Sequence, residues 1–194
     1  MPNVTSLEEA VEFAENPEPR CPCVLLLDTS GSMSGAPIAA LNDGLRAFKN
    51  DLVKDPLASR RVEVAIIAFD SQVQIVQDFI TADQFIPPTL SAGGATLMGS
   101  AIHQALDLIA ARKSQYRANG VAYYRPWVFL ITDGEPQGEP DRHFPAAQTA
   151  FGLLTDEPAR APAVFVMHGD PHEVFREHPV RDRDALPTIG PQHS

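Results

Sequence analysis

Two apolar runs constrain the fold of this chain more than any other feature. Cys23-Val-Leu-Leu-Leu and Trp127-Val-Phe-Leu-Ile-Thr132 are almost uninterrupted in their hydrophobicity, and each stops at an aspartate, Asp28 or Asp133. A strand with one wet face alternates apolar and polar residues, so a short continuous run demands cover on both faces. Val62-Glu-Val-Ala-Ile-Ile-Ala-Phe69 and Ala163-Val-Phe-Val-Met167 read as two further buried strands. Between them lie helical patterns. After Pro37, the residues Ile38, Leu41, Leu45, Phe48 and Leu52 recur at three and four positions, and Pro56 marks the end of that helix. Leu97, Ala101, Ile102, Ala105, Leu106 and Ile109 define a second helix, and residues 143–154 a third. Buried strands alternating with amphipathic helices specify an α/β, Rossmann-like fold: a mostly parallel sheet with helices on both faces. Asp70-Ser71 turns the chain back into Val73-Gln-Ile-Val76, which adds one antiparallel edge strand.

The length of 194 residues suits one such domain. We read residues 1–20 as an N-terminal extension with a short helix over 7–15, started by Ser6 and Glu9. The domain proper is expected over 21–168, and 169–194 as a divergent, disordered tail. Proline, histidine, arginine and aspartate crowd that tail, and its prolines oppose a long helix there, so the C-terminal end reads as truncated or divergent. The formal net charge of −10 argues against general nucleic-acid binding and against docking on an anionic membrane, both of which need a basic patch. No apolar run approaches the roughly eighteen residues of a membrane span, and the acidic first twenty residues lack the apolar core of a signal peptide. The expectation is a cytoplasmic location. Cys21 and Cys23, a lone C-x-C, are expected to be structural rather than metal-binding or redox-active.

The chemistry concentrates in three segments: Asp28-Thr-Ser30-Gly-Ser32, the small-residue loop Ser91-Ala-Gly-Gly-Ala-Thr96, and Thr132-Asp133-Gly134. Each follows an apolar strand or precedes a helix, and open α/β sheets bind ligands beyond the carboxyl ends of their strands. Two carboxylates and three hydroxyls form an all-oxygen donor set, suited to a hard cation such as Mg²⁺, Mn²⁺ or Ca²⁺. In a tight loop, alternate residues Asp28, Ser30 and Ser32 converge, and Gly31 permits the sharp path. Taken singly, the serines are turn or cap residues, Thr96 a helix cap and Asp133 an ordinary strand-end acid. Only their joint occurrence carries the metal reading. Thr29 and Met33 are structural in this reading, Gly93 and Gly94 give the loop its mobility, and Asp70 and Glu135 are candidates for water-mediated contacts.

Enzymatic alternatives fail on particular residues. A phosphatase-type aspartyl nucleophile needs a second acid two positions on, where Ser30 stands. Gly31-Ser-Met-Ser-Gly35 has methionine where a nucleophile elbow needs serine, and no phosphate-binding G-x-x-x-x-G-K-[ST] occurs. His168, His172 and His178 have the types of a second metal site, but Pro171 blocks a regular helix and no recognised spacing appears.

Asp-Thr-Ser-Gly-Ser-Met, the Gly-Gly-Ala-Thr loop and Thr-Asp-Gly resemble the metal-ion-dependent adhesion site of von Willebrand factor type A (VWA) domains, over roughly residues 21–168. Leu25–Met33, Pro37-Ile38, Phe69-Asp70-Ser71 and Pro87-Pro88 ahead of the Gly-Gly loop resemble the bacterial tellurium-resistance TerY-like branch. The resemblance implies a divalent cation, Mg²⁺ first, with Asp28, Ser30, Ser32, Thr96 and Asp133 as its metal residues. Thr96 would ligate in one conformation and recede in another, and Asp133 would act through a bridging water. The cation's remaining position would take an Asp or Glu carboxylate of a protein partner. For the TerY-like branch the resemblance implies a tellurite or stress-response system, with a protein kinase or a PP2C-type phosphatase as partner. A chelatase-like subunit working with a ring ATPase is the alternative. Neither reading makes the chain an enzyme.

Overall fold

A computed structural model describes residues 13–134 and the backbone of a last strand at 163–168. The sheet has five strands: β1 (Cys21–Asp28), β2 (Val62–Phe69), β3 (Val73–Thr81), β4 (Trp127–Thr132) and β5 (Ala163–His168). They lie in the order β3-β2-β1-β4-β5. All neighbouring pairs are parallel except β2–β3, the antiparallel hairpin expected from the Asp70-Ser71 turn. The expected helix over 143–154, Glu135 and the tail after His168 lie outside the described residues, as does most of the expected helix over 7–15.

Strand alternation divides the core in two. On one face Val24, Leu26, Ala65, Ile67, Val128 and Leu130 pack under Ala101, Ile102, Ala105 and Ile109. These last four belong to the long helix Met98–Ala118. On the other face Cys23, Leu25, Leu27, Val64, Ile66 and Ile131 pack under Leu41, Leu45 and Leu52, residues of the helix Ala36–Lys54, hereafter α1. Neighbouring residues of one apolar strand thus serve opposite helices, which is why the runs have no polar face.

Two details exceed what periodicity offered. Pro56 ends α1, yet it also opens a short helix, α2 (Pro56–Arg61). Asp55 caps it by accepting the amides of Leu57 and Ala58 at 2.7 and 3.2 Å. The hairpin strand β3 runs to Thr81, five residues past Val76, with register shifts near Ile66. Its last residues, Phe79 and Thr81, are buried, whereas Gln74, Ile75 and Val76 are exposed.

At the amino ends of β1 and β2 the sheet buries a charged cluster. The Glu63 carboxylate, fully buried, faces Arg20 at 2.9 Å and Arg112 of the helix Met98–Ala118, named α3, at 2.8 Å. It also accepts the Tyr116 hydroxyl. The Arg20 contact has ion-pair distance but not hydrogen-bond alignment, and among the described residues Arg20 Nη2 has no hydrogen-bond partner. Arg20 Nη1 donates to the Glu18 carbonyl at 3.0 Å. Phe13, buried, lies over both guanidiniums, 4.9 Å from that of Arg112 and 5.7 Å from that of Arg20, and meets the Tyr116 ring edge-on. Residues 13–20 therefore pack onto the sheet through this cluster.

Candidate functional site

The carboxyl ends of β1 and β4 lie side by side, because Leu27 pairs with Ile131 in parallel register. The next residues along each strand are Asp28 and Thr132, and the next after those lead into the two polar loops. Asp28 is fully buried. Its Oδ1 accepts the Ser30 amide at 2.8 Å and its Oδ2 accepts the Thr132 hydroxyl at 2.6 Å. Both carboxylate oxygens are thus oriented by neutral donors, and among the described residues no Lys, Arg or His forms an ion pair with Asp28. Ser30, also buried, places its hydroxyl 3.1 Å from that of Ser32. The Ser32 hydroxyl in turn donates to Asp133 Oδ1 at 2.7 Å. Ser32 sits in a single 3₁₀ turn, Gly31–Met33, and Asp133 is exposed at the rim. Met33 from the same turn is buried in the core, which fixes the turn from below.

Thr96 is buried and reaches this edge by a different route, through the main chain of its loop. The Gly93 amide donates to the Thr29 carbonyl at 2.8 Å, and the Gly31 amide to the Gly94 carbonyl at 3.0 Å. Gly94 has φ +84°, a left-handed conformation that side chains disfavour. Gly31 passes close to the same loop, since a Cβ on it would stand 3.4 Å from the Gly94 oxygen. The two glycines thus let the first and second loops meet backbone to backbone. On its far side the loop meets the β2–β3 turn: the Ala95 amide donates to Ser71 Oγ at 2.9 Å and the Leu97 amide to the Asp70 carbonyl at 3.0 Å.

Four of the five residues singled out from sequence, Asp28, Ser30, Ser32 and Asp133, are therefore joined in one hydrogen-bonded chain, and Thr96 belongs to a loop whose neighbouring backbone groups, at Gly93 and Gly94, bond to residues 29–31. Among the described residues no group of three His, Cys, Asp or Glu side chains is placed to hold a metal ion. This donor set has two carboxylates and draws its other oxygens from hydroxyls. Such a set fits a hard cation and not a soft one. Asp70 has a turn role: its Oδ1 accepts the Gln72 amide at 2.9 Å. Thr29 is buried with its hydroxyl 3.2 Å from the Phe69 carbonyl. Sequence reasoning named Thr132 and Ser71 but gave neither a role in the site. Thr132 had a readable signal, a lone polar residue closing an apolar strand beside another strand that closes in aspartate. Ser71 had none, because its partner lies across a loop of unknown path.

Both cysteines are free thiols, Cys23 buried and Cys21 half-buried. Burial, then the charge of Glu63, pushes the Cys21 thiol up to about 11, and burial pushes Cys23 higher still. Among the described residues no helix is long and apolar enough to cross a membrane.

Comparison with known proteins agrees with this architecture. The family model described as von Willebrand factor type A domain matches residues 23–135, more than half of the chain. Among solved structures, the manganese-loaded TRAP protein of Plasmodium vivax is similar with a TM-score of 0.53 and 17% identity, over 84% of this chain and 64% of that one. Proximal thread matrix protein 1 of the mussel byssus has a TM-score of 0.50 and 15% identity, over 79% of this chain and 38% of that one. The vWF domain of the type V pili tip protein Mfa5 from Porphyromonas gingivalis has a TM-score of 0.49 and 17% identity, over 61% of this chain and 39% of that one. This chain thus spans less than half the length of the last two. At these identities the likeness to the first two is one of fold. No curated protein matches the chain.

Proposed function

We propose, from the premise that this chain belongs to the von Willebrand factor type A domain family, that it is a metal-dependent protein-interaction module. The domains of this family commonly serve interaction or adhesion. In this reading Asp28, Ser30, Ser32, Thr96 and Asp133 hold one divalent cation, Mg²⁺ first and Mn²⁺ as a close substitute. The observation that carries the reading is the state of Asp28. It is buried at a ligand edge, oriented at both oxygens by neutral donors, and without a cationic side chain among the described residues. Burying a carboxylate in this way costs several kcal/mol unless something compensates the charge, and a cation among these five oxygens does so. When bound, the cation supplies a Lewis-acidic position for an oxygen from outside, and an Asp or Glu carboxylate of a protein partner suits it. The chain's residues set the selectivity. Hydroxyl-rich coordination leaves the net charge of the donor set at no more than −2, so a bound dication remains attractive to an anionic group.

The narrower setting we propose is a cytoplasmic tellurite or stress-response system of the bacterial TerY-like kind, with a kinase or PP2C-type phosphatase as partner. It rests on the motif resemblance alone. Residues 21–168 then act as the binding domain, with 1–20 and 169–194 flanking it.

Calorimetric titration with Mg²⁺ and Mn²⁺ tests the central claim. The wild-type chain is expected to bind one equivalent, and Asp28→Ala to bind none while keeping its fold by circular dichroism. Undiminished binding by Asp28→Ala refutes the ligand assignment. Partner capture that persists in EDTA moves the interface away from the metal.

A further inference from the structure

The loop that carries Thr96 is clamped from two sides. On one side it exchanges main-chain hydrogen bonds with residues 29–31. On the other it rests on the β2–β3 turn, through the Ser71 hydroxyl and the Asp70 carbonyl. The second clamp is closely fitted. A Cβ built on Gly94 would stand 2.5 Å from Ser71 Oγ and 3.1 Å from the Ser71 amide nitrogen, so only glycine admits this approach. The turn itself is braced, because Asp70 Oδ1 accepts the Gln72 amide and the Asp70 amide donates to the Gln72 carbonyl, each at 2.9 Å. Among the described residues, the hydroxyl of Ser71 is the one side-chain group of this turn that hydrogen-bonds to the Thr96 loop.

We infer that Ser71 is a positioning residue. Its hydroxyl locks the Gly93–Leu97 loop in the arrangement that presents Thr96 to the metal, and it ties that loop to the hairpin β2–β3. The inference rests on the metal reading given above for its consequence, but the lock itself is a property of the loop. Removing the hydroxyl leaves the Ala95 amide without its partner and loosens the loop on that side, where the bond from the Leu97 amide to the Asp70 carbonyl remains. A single hydrogen bond at an exposed position corresponds to about a threefold to tenfold change in a local equilibrium.

The test is residue-resolved amide exchange on the metal-free full chain, paired with Mn²⁺ titration, for wild type, Ser71→Ala and Ser71→Thr. Ala95 is uninformative, since its own acceptor is deleted. Gly93 and Leu97 keep their acceptors, Thr29 and Asp70, and report the loop. Ser71→Ala is expected to speed exchange at both by about threefold to tenfold and to weaken Mn²⁺ binding by a similar factor, with the melting temperature nearly unchanged. Ser71→Thr, which keeps the hydroxyl, is expected to restore both. Unchanged exchange at Gly93 and Leu97 overturns the lock. Faster exchange with unchanged Mn²⁺ affinity overturns its link to the metal. Should the wild type bind no Mn²⁺, the metal reading falls, and the exchange data still decide the lock.

Discussion

Thr132→Val is the most incisive perturbation of the site. The two side chains are nearly isosteric, so the change leaves the packing at the end of β4 intact and removes one hydroxyl. That hydroxyl donates to Asp28 Oδ2 at 2.6 Å in a buried setting. A hydrogen bond to a charged group contributes about 1.5–3 kcal/mol, and a buried acceptor stripped of it keeps the full desolvation cost. For a domain of this size about 2 kcal/mol lowers the melting temperature by roughly 4–8 °C. The metal adds a second effect of the same sign. Losing a group that orients a ligand reduces affinity about 10–100-fold. Excess Mn²⁺ stabilises the folded state according to its affinity, so the variant gains less from it. The gap between wild type and Thr132→Val should widen by about 1.4–2.7 kcal/mol on going from EDTA to excess Mn²⁺. Urea unfolding in the two buffers measures both terms, and Thr132→Ser, which keeps the hydroxyl, serves as the control. A gap below about 0.5 kcal/mol in EDTA, smaller than a typical hydrogen bond, refutes the claim that Thr132 supports a buried charge. An equal gap in both buffers refutes the claim that the charge it supports binds metal.

Two further predictions concern the opposite end of the sheet. Glu63→Gln removes the carboxylate that Arg20 and Arg112 share, and is expected to destabilise the fold by about 3–5 kcal/mol in urea while Mn²⁺ binding by the remaining folded protein is retained; a loss below about 1 kcal/mol, within the range of surface pairs, would show the cluster to be dispensable. The thiol of Cys21, raised to about 11 from an ordinary 9.0, stays protonated in the folded chain after the unfolded chain has lost its proton. The contribution of Cys21 to stability is therefore fully present below about pH 9 and is lost as pH rises from 9 through 11. Cys21→Ala should flatten that decline in urea midpoints measured across the window, and an unchanged decline assigns it to another group, of which Tyr116, also raised by burial, is the first candidate.

The sheet was legible because its evidence is local. The runs ending at Asp28, Phe69 and Thr132 show period and length within eight residues each, and their lack of a polar face already requires helices on both sides. The hairpin's start was equally plain at Asp70-Ser71, but its end was not. Gln77 and Asp78 look like the start of a loop, and only the partner strand, pairing Ile80 with Val64 and Thr81 with Glu63, holds the last residues in the ladder. The same limit applies to α2, whose six residues carry no amphipathic signal and whose existence depends on the Asp55 cap. In the site, the five oxygen donors stood out by type and order. What could not be read was how they are held. The Thr132–Asp28 bond joins residues 104 apart, and the Ser71–Ala95 bond crosses a loop of small residues with no periodicity. Contacts of that kind depend on register and loop path, which arise only once the sheet has formed.

The chain buries a second carboxylate, and the contrast with Asp28 bears on the metal. Glu63 and Asp28 occupy adjacent strands, near opposite ends, and both are fully buried. The protein compensates the charge of Glu63 from its own side chains, with two guanidiniums and a hydrogen bond from a phenol, and covers the assembly with Phe13. Asp28 receives one amide and one hydroxyl, and its neighbours Ser30, Ser32 and Asp133 continue the chain of oxygens outward to the exposed rim. A core that needed Asp28 only for packing would be more stable with an apolar residue in its place. A core that needed it only for local hydrogen bonding would not extend the oxygen chain to a second carboxylate 105 residues away in sequence. An arrangement in which the charge is oriented, left without a cationic side chain among the described residues and opened toward solvent through further oxygens suits a cation arriving from outside. That is the physical difference between the closed end of this sheet and the end we assign to binding.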